Sequence, residues 1–181
     1  MTVLLTAKET IINAYLQLLR EYPPEKLSVK KIADAANISR STYYLHFPDK
    51  SALMNEVKEK LYRHFLSCYK KPNPIANAIT TPLEICEHVF KYRAFYSTVF
   101  KNAQEIQQLS NLLKDLLTQT FNDPDYAIFA SYGTIGYLSI WVQNDFQMGP
   151  KEAAEKLLKI GLTNWAGHVK NIFPKEVPSF R

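Results

Sequence analysis

Apolar residues recur along this chain with the period of an α-helix, and no segment alternates convincingly in the manner of a strand. Ile11, Ala14, Tyr15, Leu18 and Leu19 stand at i, i+3, i+4, i+7 and i+8 and make one apolar face. In front of them Thr6-Ala7-Lys8-Glu9 is a capping box, whose hydroxyl and carboxylate satisfy backbone amides that a helix start leaves orphaned. Tyr22-Pro23-Pro24 ends that helix. Ser28 caps a second, short helix running to about Ala36, and Ser39 a third that stops before Phe47-Pro48. Asp49 or Ser51 opens a long fourth helix through Leu53, Val57, Leu61 and Phe65. Lys70-Lys71-Pro72-Asn73-Pro74 breaks it and marks a module boundary.

Beyond the boundary the same start signal recurs at Thr81-Pro82-Leu83-Glu84, Asp123-Pro124 and Gly149-Pro150-Lys151-Glu152. Proline suits a first helical position because its missing amide hydrogen would have no partner there. Helices are expected over about 82–100, with a break near Arg93, and over 103–121, 124–145 and 150–170. The pattern predicts an all-α fold in two parts. Residues 1–50 form a three-helix N-terminal domain, 49–71 a linking helix, and 72–181 a second helical domain.

Residues 28–47, SVKKIADAANISRSTYYLHF, have the pattern of a helix-turn-helix. Ile32, Ala36, Ile38, Tyr43 and Phe47 are spaced to wedge two short helices against the first, and Ala33 is small where they approach. Asn37 sits where the turn needs a left-handed backbone, for which Asn is the best substitute for Gly. Ser39 as a cap leaves Arg40, Ser41 and Thr42 at the exposed start of the next helix, where short polar side chains and one Arg can reach base edges.

Charge placement agrees with this. The formal net charge is +5, and residues 1–71 hold twelve Lys/Arg against seven Asp/Glu, while the remainder is balanced at ten each. The excess positive charge therefore lies with the helix-turn-helix, which points to a polyanionic partner. Cys68 and Cys86 make neither a metal spacing nor a disulfide framework and read as free thiols in a reducing cytosol. His46, His64, His88 and His168 are scattered, and there is no Gly-rich phosphate loop, nucleophile–base pair or metal-ligand cluster. An enzyme is not expected, nor a cofactor or a metal. The N-terminus is too poor in apolar residues for a signal peptide. Tyr126 to Asn144 carries no charge and is long enough to span a bilayer, but Asp125 and Asp145 flank it and Ser131, Gly133, Thr134, Gly136 and Ser139 interrupt it. A helix largely buried by protein is the better reading.

The stretch from Thr6 to Leu53 resembles the DNA-binding domain of the tetracycline-repressor (TetR/AcrR) family of bacterial transcriptional regulators. The resemblance rests on Ile11 and Ala14, on SVKKIADAANIS from Ser28 to Ser39, and above all on SRSTYYLHFPDKSAL from Ser39 to Leu53. Asn37 replaces the usual turn glycine, and Tyr22-Pro23-Pro24 replaces a Gly-aromatic pair. The resemblance implies that Arg40, Ser41, Thr42 and Lys30 read bases, and that Ser28, Tyr44, His46 and Lys50 hold phosphates. Tyr43 and Phe47 are assigned to the core and Leu45 to partial exposure beside the DNA. It further implies a cytoplasmic homodimer on a pseudo-palindromic operator, most often a repressor, released or modulated by a small-molecule effector. The alternatives are an activator of the same fold, or a protein-interaction or ligand-binding module without DNA binding.

Residues 72–181 then serve as the ligand-binding and dimerisation domain. Phe129, Gly133, Gly136 and Ile140 lie on one helical face, with Ala154, Leu158, Gly161, Trp165 and Val169 as a matching stripe. Two such helices per subunit would make a four-helix interface across a two-fold axis. An apolar pocket is sketched by Phe90, Phe95, Tyr96, Phe100, Phe121, Tyr132 and Trp141, with Tyr92 and Tyr126 nearby. Yet fifteen of the 23 aromatics in these 110 residues is hardly an enrichment, so the same side chains also read as core.

Overall fold

A computed structural model describes residues 6–69 and 74–162, with side chains in 74–79 left aside. It consists of α1 (Ala7–Leu18), a 3-10 turn (Pro24–Lys26), α2 (Val29–Ala35), α3 (Arg40–His46), α4 (Lys50–Ser67), α5 (Pro74–Lys91), α6 (Arg93–Val99), α7 (Ala103–Phe121), α8 (Pro124–Gln143) and α9 (Pro150–Gly161). The described residues hold no strand, and the fold is all-α.

Helix starts follow their caps. Glu9 N donates to Thr6 Oγ1 at 3.2 Å while Thr6 N donates to Glu9 Oε2 at 3.0 Å, closing the capping box. Asp49, not Ser51, caps α4: its Oδ1 accepts from Ala52 N at 2.8 Å. One start differs from expectation. Thr81-Pro82 does not begin a helix, because α5 runs through it from Pro74 and carries Pro82 inside. The Thr81 hydroxyl is spent on the Cys68 carbonyl at 3.1 Å, tying α5 to the end of α4. The break near Arg93 is real: α5 stops at Lys91 and α6 starts at Arg93.

Burial divides the chain into two cores. In the first, α1, α2 and α3 pack together around Ile11, Tyr15, Leu27, Ile32, Ala33, Tyr43 and Phe47. In the second, α5 lies along α9 and α7 along α8, around Phe65, Ile85, Val89, Tyr96, Leu109, Leu113, Ile135 and Trp141. Helix α4 belongs to both. Its Leu53, Val57 and Leu61 enter the first core, and its Tyr62, Phe65 and Cys68 the second. A step of one residue turns the helix by about 100°, so the change of core falls between the neighbours Leu61 and Tyr62. Tyr92 and Phe95, at the α5–α6 corner, also touch both cores.

No helix among the described residues is long and apolar enough to cross a membrane. Helix α8, uncharged beyond Asp125 in its first turn, is instead covered on one side, by burial of Ala127, Ser131, Ile135, Leu138, Trp141 and Val142.

Candidate nucleic-acid interface

The turn between α2 and α3 is made by Asn37, whose φ of 53° is the left-handed conformation required there. Ser39 then starts α3, its Oγ accepting from Thr42 N at 3.0 Å. The same oxygen lies 2.7 Å from Ser41 Oγ and 2.8 Å from Thr42 Oγ1. The hydroxyls at the head of the helix thus form one cluster, with Arg40 exposed beside it.

Orientation of α3 is fixed from inside. Tyr43 is fully buried, and its hydroxyl donates to the Asp49 carbonyl at 3.3 Å. Burial, with the Asp49 carboxylate nearby, pushes that phenol up to about 12, so it stays a donor at neutral pH. Phe47 closes the far end, tilted against Tyr43. With these two residues inward, Arg40, Ser41, Tyr44, Leu45 and His46 are left on the solvent side. Thr42 is half-buried. Leu45 is 83% exposed, more than sequence reasoning assigned it.

The remaining expected contacts frame this helix. Ser28 caps α2, its Oγ accepting from Lys31 N at 3.2 Å, and Lys30 is exposed in the first turn. Lys31 is turned away over the Tyr22 ring, 2.8 Å from its centroid. Lys50 is half-buried, and its ammonium donates to the Pro24 carbonyl at 3.0 Å. That bond uses one of three N–H groups and holds the start of α4 on the 3-10 turn. No local pattern announces it, since Lys50 and Pro24 are separated by a whole helix-turn-helix.

The second domain sorts the other expected residues. Tyr96, Phe100 and Trp141 are buried in the core, Phe90 stacks on Trp141, and Phe95 makes an edge contact with Tyr62. Phe121 and Tyr132 lie at the surface. Among the described residues, the clefts beside α1, α6 and α7 take only Phe95 of these seven aromatics into their walls. On α8, Phe129 and Ile140 are 67% and 58% exposed, and Gly133 and Gly136 lie on the same solvent-facing strip. Among the described residues, a Cβ at either glycine would meet nothing within 4 Å. On α9, Ala154 is buried within the protomer, Leu158 is half-buried and Gly161 exposed, whereas Trp165 and Val169 fall outside the described residues.

The family description "Bacterial regulatory proteins, tetR family" matches residues 11–57, and "Transcriptional regulator C-terminal region" matches residues 77–161. The chain belongs to the TetR/AcrR family. Solved structures superpose on most of its length. A TetR/AcrR-family transcriptional regulator from Aquifex aeolicus aligns with 93% of this chain and 100% of its own, at 20% identity and a TM-score of 0.63. SmeT, the repressor of the Stenotrophomonas maltophilia efflux pump SmeDEF, aligns with 86% of this chain and 88% of its own, at 15% identity and a TM-score of 0.68. The dihydroxyacetone kinase operon activator DhaS aligns with 92% of this chain and 97% of its own, at 13% identity and a TM-score of 0.67. At these identities the likeness is one of fold, and that fold serves a repressor and an activator alike. No curated protein sequence matches the chain.

Proposed function

We propose that this TetR-type chain is a sequence-specific, DNA-binding transcriptional regulator, acting in the cytoplasm as a homodimer on a pseudo-palindromic operator. One observation carries the reading. Helix α3 buries Tyr43 and Phe47 completely enough to be rigid, and turns Arg40, Ser41, Tyr44, Leu45 and His46 outward together. An exposed helix face held this firmly is what entry into a major groove requires. Arg40, Ser41 and Thr42, with Lys30 at the groove edge, read bases, while Ser28, Tyr44, His46 and Lys50 hold phosphates. Ser41 and Thr42 exchange their hydroxyl contacts with Ser39 for base edges on binding.

The dimer uses the outer strip of α8. Gly133 and Gly136, one helical turn apart between an exposed Phe129 and an exposed Ile140, pack against none of the described residues. They allow close approach of a second copy, with α9 completing the four-helix contact. A small-molecule effector that favours one spacing of the two reading heads would release or strengthen DNA binding. Repression is the commoner mode for such a device.

Sequencing of DNA selected from a random pool by the purified protein tests the reading. Enrichment of an inverted repeat, bound by the full chain with clear preference over scrambled DNA, is expected. A protein that enriches no motif, or binds all DNA alike, overturns it.

A further inference from the structure

We infer that the groove between the end of α1 and the α5–α6 corner is a binding site for a small organic oxyanion carried on a planar ring. The groove is a cleft of about 370 Å³. Its walls bring Arg20 from the DNA-reading head together with Lys91 and Arg93 from the second domain, and no carboxylate lines it. None of these three cations makes an ion pair among the described residues. Three exposed cations around one concave, partly apolar groove, two of them resting over the Tyr92 and Phe90 rings, make its potential positive, which favours an anion there. Two guanidinium groups in particular present planar forks suited to phosphate or carboxylate oxygens.

The rest of the groove selects what bears the charge. Tyr92 and Phe95 are half-buried along it and offer ring surface, and Gln17 offers an amide. An adjoining cleft of about 330 Å³ shares Arg20 and Arg93, adds Lys101, and holds a carboxylate, Asp145. The carboxylate-free lobe is therefore the one that takes the charged end.

Position gives the site a consequence. Tyr92 and Phe95 pack on both cores, so the groove lies at the joint between head and second domain. A ligand gripped by Arg20 on one side and by Lys91 and Arg93 on the other ties the two together and fixes the angle of α3. Binding stands on the groove alone. Its regulatory effect rests on the DNA-binding function proposed above.

Phenyl phosphate is the probe, titrated calorimetrically into the full chain, with benzoate and inorganic phosphate as comparison arms that separate headgroup from ring. One saturable site per chain is expected, and weaker binding of inorganic phosphate, which lacks the ring. The double variant Arg20→Ala/Arg93→Ala should weaken phenyl phosphate about tenfold or more, the scale of a lost charge-assisted contact. Lys151→Ala, on exposed α9 surface, should bind as wild type does. Arg20→Ala and Lys91→Ala singly, on different elements, carry the same test if the double variant does not fold. Absence of a saturable site, or equal weakening by Lys151→Ala, overturns the inference.

Fluorescence anisotropy on selected DNA then reads the coupling. Saturating phenyl phosphate should change DNA affinity about fivefold or more in the wild type, a typical coupling between linked sites, and not in the double variant. Ligand binding with unchanged DNA affinity overturns the regulatory role while the site stands. Ligand binding by a protein that binds no DNA overturns the proposed function and not the site.

Discussion

His64 on α4 and His88 on α5 meet through their Nδ1 atoms at 2.8 Å, although they stand 24 residues apart in the chain. On its other side His88 places Nε2 2.9 Å from the buried Tyr96 hydroxyl. The result is a chain of three polar side chains running from the surface of α4, through α5, to the buried middle of α6. Of the two facing nitrogens one donates and the other accepts.

A pH dependence follows. Burial, then the His64 ring, lowers His88 from its ordinary 6.5 to about 4, with Lys91 adding to the shift and the Leu61 carbonyl opposing it. A histidine lowered in the folded state stabilises it fully above the unfolded value, because the unfolded chain takes up the proton first. That stabilisation is lost as pH falls from about 6.5 through about 4, and it amounts to about 3 kcal/mol. Melting temperatures between pH 7.5 and 4.5 should show the fall, and His88→Gln, which cannot titrate, should lose this part of it. Parallel wild-type and variant curves would rule out His88 as its source.

Lys50→Ala separates two jobs of one ammonium. Loss of a phosphate contact should lower the slope of log affinity against log salt by about one. Loss of the bond to the Pro24 carbonyl should also cost about 1 kcal/mol in urea denaturation. A lowered stability with an intact salt slope would make Lys50 a strut of the head and no more.

Arg40→Ala addresses base reading. It should cost about 1–3 kcal/mol on the selected operator and relax preference at one base position per half-site. Anisotropy against a set of single-base operator variants measures this, and a uniform loss on every sequence would move Arg40 to the phosphates.

The α8 strip predicts the assembly. Phe129→Asp combined with Ile140→Asp should turn the dimer into monomers, since each apolar side chain buried at an interface contributes about 1.5–3 kcal/mol. Sedimentation velocity distinguishes the species. A double variant that still sediments as a dimer would place the contact elsewhere.

How far the sequence led depended on how local each signal was. Thr6 with Glu9, Ser28, Ser39 and Asp49 act within one turn of helix, and each marked a start that the structure contains. Asn37 was legible for the same reason, its left-handed backbone being a property of one residue. Thr81-Pro82 misled because the same dipeptide tolerates a helix interior once the Thr hydroxyl has another acceptor, here across an interhelical gap. The His64–His88 contact and the Lys50–Pro24 bond left no trace in spacing, since tertiary packing alone creates them. The aromatic residues of the second domain gave identity without direction, so Tyr96, deep in the core, and Phe121, half in solvent, looked equivalent.

The sharing of α4 between two cores bears on how such a protein can be cut and recombined. A fragment ending after the helix-turn-helix would lose Leu53, Val57 and Leu61, and with them one wall of its own interior. A fragment ending at residue 69 would keep that wall but strip the cover from Tyr62, Phe65 and Cys68, a greasy stripe with no neighbour. Neither cut yields a clean part. Grafting this head onto another regulator therefore means transplanting α4 whole, together with a recipient surface shaped to receive its second half.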